Sequence, residues 1–140
     1  MKRIYKFDAE NGVATCYLID KNNTYTGFAC CHDDDKDFQS ERVGLTLAEA
    51  RAEIDALKHI RDNELIPTYK ALKHLQDNMK TSTYYNPKSY EARMLRRQVC
   101  IKENELIAIK QEIDSRKQFI SDYIQQKDEL HDKLRKVKKN

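Results

Sequence analysis

A stripe of apolar residues at heptad spacing runs through the last third of this 140-residue chain, and it constrains the fold more than any other feature. Val99, Leu106, Ile109, Ile113, Ile120, Tyr123, Leu130, Leu134 and Val137 fall on one face when wound into a helix. Ser89 stands where a cap is needed, so the pattern predicts a helix from there to about Lys136. Lys102, Arg116 and Lys127 interrupt the seam. Such interruptions argue against a uniform two-stranded coiled coil and fit an antiparallel hairpin, or a bundle in an oligomer.

The other arm of the hairpin precedes it. Thr46 with Glu49 three residues on reads as a capping box. Leu47, Ala50, Ile54 and Leu57 follow at heptad spacing, and Ile60 and Leu65 extend that face. Pro67 is expected to break or kink the run. Tyr69, Leu72, Leu75 and Met79 then continue it, and residues 81–87 form the expected connection.

Residues 1–44 read differently. Ile4, Tyr5 and Phe7 mark a first strand, and Asn11-Gly12 a hairpin turn, since both residues tolerate positive φ. Residues 13–20 are β-branched and aromatic, Lys21-Asn22-Asn23 makes the next turn, and residues 24–32 return as a third strand. A sheet this small needs a cover on one face, from a helix or a second copy. The expected fold class is α+β: an antiparallel β-meander over residues 1–44, then a long helical hairpin over residues 45–140 with its elbow near residues 80–89. Apolar residues make up 39% of the chain and charged residues 35%, a balance typical of exposed hairpins that bury their stripe against a partner, so a homo-oligomer is expected.

The sequence has no secretory pattern and no apolar stretch approaching a membrane span, so a cytoplasmic protein without a membrane partner is expected. Four cysteines (Cys16, Cys30, Cys31, Cys100) fit no zinc spacing, and reduced thiols follow. His32 and Asp33-Asp34-Asp35 follow the adjacent pair, but three successive acids more often form a solvated turn, so no metal is expected. Phosphate-binding glycine loops, a nucleophile elbow and paired histidines are all missing from the sequence. Neither catalysis nor a cofactor is therefore expected.

What remains is binding. Between Lys80 and Lys102 stand six Lys/Arg (Lys80, Lys88, Arg93, Arg96, Arg97, Lys102) and one acid, Glu91, although the whole chain is only +3. Arg93 and Arg97 share a helix face with Arg96 beside them, and Tyr84, Tyr85, Asn86 and Tyr90 lie just before or among them. Guanidinium forks beside tyrosine rings suit a ligand with phosphate at one end and a flat base at the other. In this reading Arg93 and Arg97 grip a diphosphate, Tyr84 or Tyr85 stacks on a base, Asn86 bonds a base edge, and Arg61 joins from a second subunit. The competing reading is a solvated basic helix start whose tyrosines plug the hairpin. Long nucleic acid would need a longer basic stripe, and the sequence pI of about 8.6 is modest for that role.

The run Gly27-Phe28-Ala29-Cys30-Cys31-His32-Asp33-Asp34-Asp35, with Phe38, Gly44 and Ala48-Glu49-Ala50-Arg51-Ala52, is similar to a pattern in small bacteriophage proteins. Asp33 stands where that pattern usually has proline. With the small sheet, the two long helices and the arginine-rich elbow, the chain resembles the first Thoeris anti-defence family. The resemblance implies a phage protein that sequesters a cyclic ADP-ribose isomer, and in some members cyclic oligonucleotides. It would do so in the host cytoplasm, as a dimer or hexamer, holding the signal intact. The alternatives are a helical-hairpin protein that inhibits a host protein, and a weak nucleic-acid binder.

Overall fold

The computed structural model describes residues 1–30 and 41–139, with the backbone alone at His131, Arg135, Lys138 and Lys139. The fold is α+β, a three-stranded antiparallel sheet followed by long helices. Strands β1 (Lys2–Asp8), β2 (Val13–Asp20) and β3 (Asn23–Cys30) pair in sequence order. Helix α1 spans Glu41–Ile60, and a π-helical segment, Arg61–Leu65, links it to α2, Ile66–Lys80. Helix α3 runs from Tyr90 to Lys139. Two compact units result: Met1–Ala56 with residues from Asp114 onward, and Leu57–Ile113.

In the first unit the sheet has period 2, and one face is apolar. Ala14, Cys16 and Leu18 of β2 and Tyr25 and Ala29 of β3 are buried there, under Ala48, Ala52 and Ala56 of α1. The three alanines are four apart, so they form one helix face. Such short side chains let the helix backbone descend onto the strand. A Cβ added at Gly27 would stand 2.0 Å from the Ala48 carbonyl oxygen and 2.4 Å from the Ala52 nitrogen, so only glycine fits. This is a different face from the expected heptad. Ala50 and Ile54 are indeed buried, but away from the sheet core; the cover is made by the small residues that the hydropathy pattern passed over.

The two turns depart from expectation in opposite directions: the first spans residues 9–12, wider than the Asn11-Gly12 pair, and the second is tighter. Gly12 alone of its pair takes positive φ, at 67°. The Asp8 carboxylate closes that turn, accepting from the backbone N–H groups of Glu10 (3.1 Å) and Asn11 (3.2 Å) and from the Asn11 amide (2.7 Å). These donors hold its pKa below the usual carboxylate value. The second turn is only Lys21-Asn22, since Asn23 already pairs with Asp20. Strand β3 is described as far as Cys30; Cys31 and His32, expected in the same strand, lie outside the described residues.

The capping box at Thr46 is not formed. Helix α1 is already under way at Glu41, and the Thr46 hydroxyl donates to the Arg42 carbonyl four residues back at 2.7 Å. The expected break or kink at Pro67 takes the form of the π-helical segment before it. The chain stays helical through it, and the Ile66 N–H reaches five residues back to the Arg61 carbonyl. That wider turn stands where a proline ring would otherwise meet the carbonyl four residues before it. Nearby carbonyls find side-chain donors: Thr68 Oγ1 to Glu64 (2.7 Å) and Asn63 Nδ2 to His59 (3.1 Å).

In the second unit α2 and the first part of α3 form the hairpin, and Tyr69 donates to Glu103 Oε1 across it at 3.2 Å. Ala92, Val99, Ile109 and Ile113 are its buried residues on α3. Each cation that interrupts the seam has a partner, two of them local and one distant in sequence. Lys102 pairs with Glu105 at 2.9 Å, Arg116 pairs with Glu53, and Lys127 lies 5.6 Å from the centre of the Tyr123 ring. No helix among the described residues is long and apolar enough to cross a membrane.

Candidate functional site

The elbow between α2 and α3 is built by side chains bonding to nearby backbone. Thr81 Oγ1 donates to the Asn78 carbonyl (2.8 Å), the Ser82 N–H to Met79 (3.1 Å), and the Tyr85 N–H to Ser82 (3.2 Å). Asn86 Oδ1 accepts the Lys88 N–H at 2.9 Å, an Asx turn across Pro87. Ser89 then caps α3 as its sequence position predicts: its hydroxyl accepts the Ala92 N–H at 3.2 Å, and its carbonyl the Arg93 N–H at 3.0 Å.

The cap sets the phase of everything after it. Ala92 and Val99 are turned inward, 3% and 5% exposed, so Arg93, Arg96 and Arg97 are turned to solvent. Arg93 and Arg97 are separated by about 6 Å of helical rise. None of the three arginines has an ion pair among the described residues. Of the three, Arg93 lies at the end of the first turn, where the positive end of the helix dipole also favours an anion. Tyr84 is 93% exposed and Tyr90 is 65% exposed, while Tyr85 is half-buried against the elbow. Asn86 is less available than its sequence suggested. Its carbonyl oxygen serves the turn, and only its NH₂ group remains for a ligand.

Arg61 does not join this group within one chain. It lies before α2, which alone is about 22 Å long, so it stands at the far end of that helix from the elbow. Its guanidinium is held by the neighbouring Asp62, Nε to Oδ1 at 2.8 Å. That hydrogen bond lowers the Asp62 pKa and raises that of Arg61.

A second constellation, in the first unit, was not legible as a site. Glu49 Oε2 accepts the Tyr5 hydroxyl (3.0 Å), and Glu49 Oε1 meets Arg3 Nε at 3.1 Å. Arg3 also approaches Glu53 at 3.7 Å, and Glu53 pairs with Arg116. Partial burial, then the Glu49 carboxylate, push the Tyr5 phenol above its ordinary pKa. Two open grooves flank these carboxylates, one of about 620 Å³ beside Tyr5, Arg42 and Thr46, the other of about 350 Å³ beside Ala50, Ser115 and Phe119. The sequence signal was the i,i+4 pair Glu49 and Glu53 with an arginine inside an apolar seam. Because each carboxylate already has a cationic partner, the arrangement ties β1, α1 and α3 together within this unit.

Cys16 is buried in the sheet core, and that burial raises its thiol pKa. Cys30 and Cys100 are exposed free thiols. The remaining parts of the Cys-His-acidic run, Cys31, His32 and Asp33-Asp34-Asp35, lie outside the described residues. Among the described residues no three His, Cys, Asp or Glu side chains gather around a common point. No protein-family model matches the chain, and neither the curated proteins nor the solved structures contain a match to it.

Proposed function

We propose that the chain binds a small phosphorylated nucleotide at the elbow and holds it without cleaving it, as a sponge for a signal. The observation that carries this reading is the trio Arg93, Arg96 and Arg97, exposed together near the start of α3 with no ion pair among the described residues. Three desolvatable guanidinium forks with no internal counter-charge favour an external anion, and the 6 Å pitch of about one helical turn suits adjacent phosphates. Tyr84 and Tyr90 offer exposed rings for a base. The resemblance to the Thoeris anti-defence family supplies the class of ligand: a cyclic ADP-ribose isomer, or a cyclic oligonucleotide, captured in the host cytoplasm by a phage protein.

Within one chain Tyr84, Tyr90 and the three arginines are exposed, whereas small polar ligands bind tightly only when preorganised groups enclose them. The proposal therefore includes a homo-oligomer whose subunits close the site, with Arg61 entering from a second copy. A thermal-shift screen with cyclic ADP-ribose isomers, cyclic di- and trinucleotides and linear ADP-ribose tests it, followed by heat release and chromatography of the bound molecule. The expected result is a rise in melting temperature with one cyclic ligand and its recovery intact. Arg93→Ala and Arg97→Ala are expected to abolish that shift while assembly persists. Undiminished binding in both variants removes these arginines from the site, and a chemically altered ligand points to an enzyme.

The second reading is a helical hairpin that docks on a protein. Leu75, Ile101 and Ile107 favour it, since they are 56%, 42% and 56% exposed on α2 and α3. In that case no nucleotide shifts the melting temperature.

A further inference from the structure

Among the described residues the sheet has two edges, β1 and β3, and they differ in chemistry. Strand β1 carries Lys2, Arg3, Lys6 and Asp8, the kind of charge that deters a second strand from pairing. Strand β3 has no charged residue and no proline in its eight positions, Asn23–Cys30. Its ladder with β2 runs unbroken from Val13↔Cys30 to Asp20↔Asn23, so no bulge twists the edge away.

Which backbone groups face outward follows from one contact. In an antiparallel ladder alternate residues direct their N–H and C=O groups toward the neighbouring strand or away from it. The Phe28 carbonyl accepts Arg51 Nη1 at 2.6 Å, so Phe28 belongs to the outward set. Thr24, Thr26 and Cys30 share its phase. Their side chains lie on the sheet face opposite α1, where Phe28 is 55% exposed. Arg51 thus caps the Phe28 carbonyl at the rim of an edge whose own residues are uncharged, and among the described residues no further strand pairs with β3 and no carboxylate is paired with Arg51.

We infer that the β3 edge receives an extended segment of a partner protein by strand addition, and that this segment carries an acidic side chain or a chain-terminal carboxylate to meet Arg51. Backbone pairing along Thr24 and Thr26 supplies affinity, and the guanidinium, already seated on the Phe28 carbonyl, supplies register. Charge decides between this occupant and a second copy of the chain. Another β3 matches the ladder but brings no acid to Arg51, whereas an acid-bearing strand satisfies both. The inference is independent of the nucleotide reading, because the elbow belongs to the other unit.

A displayed library of random twelve-residue peptides, selected on the full chain, tests it. Enriched peptides are expected to alternate β-branched or aromatic residues and to carry Asp, Glu or a free C-terminus at a fixed position. Synthetic versions should lose at least about tenfold in affinity against Arg51→Ala, the scale of one hydrogen bond to a charged group, and remain unchanged against Arg93→Ala. Thr26→Pro removes one outward N–H at an edge position that tolerates proline, and should weaken binding similarly. If that variant does not fold, N-methylation of alternate peptide residues removes the same ladder from the ligand side. Peptides that ignore Arg51→Ala and N-methylation overturn the inference, as does a selection that enriches nothing. A dimer in sedimentation that Thr26→Pro dissolves also overturns it, by giving the edge to a second copy.

Discussion

Replacing Gly27 by alanine tests the packing on which the first unit depends. The added methyl would stand 2.0 Å from the Ala48 carbonyl oxygen and 2.4 Å from the Ala52 nitrogen, where ordinary contact begins near 3.4 Å. Both obstacles are backbone of the same helix, so no side chain can swing aside. Helix α1 must therefore retreat by more than an ångström, which loosens Ala14, Ala29, Ala48 and Ala52 together. Overpacking costs about 1–3 kcal/mol and occasionally more, and an immovable obstacle belongs at the upper end, about 3 kcal/mol. Gly27 does not occupy a positive-φ conformation, so the cost is steric and not conformational. For a unit of this size each kcal/mol lowers the melting temperature by about 4–8 °C, and a fall of roughly 12–24 °C follows. Thermal unfolding by far-ultraviolet circular dichroism measures it, with Gly44→Ala as comparison. There the added methyl stands 2.9 Å from Ala14 Cβ and 3.9 Å from Phe7 Cε2, a milder overlap than at Gly27, and helix propensity improves by about 1 kcal/mol, so a smaller loss is expected. A Gly27→Ala protein that melts within about 2 °C of the parent refutes the argument that close backbone approach positions α1.

Other consequences are simpler to read. Ser89→Ala removes the acceptor of the Ala92 N–H and should cost about 1 kcal/mol in urea unfolding, with Ser89→Asp restoring most of it. Asp8 has its folded-state pKa lowered by the Asn11 and Glu10 donors, so its contribution is present above the unfolded carboxylate pKa and is lost as pH falls through the folded value. Carboxyl-resonance titration by NMR should find Asp8 titrating below the usual aspartate value, and Asp8→Asn should flatten the acid limb of the stability curve. Severing Glu53 from Arg116 by a double-mutant cycle should show a coupling of no more than about 1 kcal/mol, because both side chains remain partly hydrated; a much larger coupling would show that this pair dominates the attachment of α3 to α1 within the unit.

The functional reading rests on which charges lack internal partners. Lys102, Arg116 and Arg61 are all engaged, with Glu105, Glu53 and Asp62. Arg93, Arg96 and Arg97 stand in a segment where Glu91 is the only acid between Lys80 and Lys102, and the phase set by Ser89 turns them away from the buried face. That contrast separates a candidate binding surface from cations that serve the fold. Tyr84 and Tyr90 keep their candidacy by exposure, while half-buried Tyr85 and the turn-bonded Asn86 serve the elbow first.

The order of elements was legible in the chain itself. Strands announce themselves by period 2 and β-branched residues, the turns by Gly12 and Asn22, and α3 by a heptad stripe behind a serine cap. These signals are local, since each depends on a few neighbours and on backbone preferences that persist in any context. Three decisions were not local. Helix α1 presents Gly44, Ala48, Ala52 and Ala56 to the sheet, because close approach at Gly27 gains more contact than larger side chains would allow, and hydropathy undervalues small residues. Thr46 lost its role as a cap because the helix already includes Glu41. Pro67 did not end its helix because a π turn absorbed it. Likewise the sequence located the arginines of the elbow and a cation within the seam. Only the packed chain decided that Arg116 meets Glu53, that Arg61 stands a helix length from Arg93, and that Arg51 guards the open edge of β3, because each of those distances is set by elements far apart in sequence.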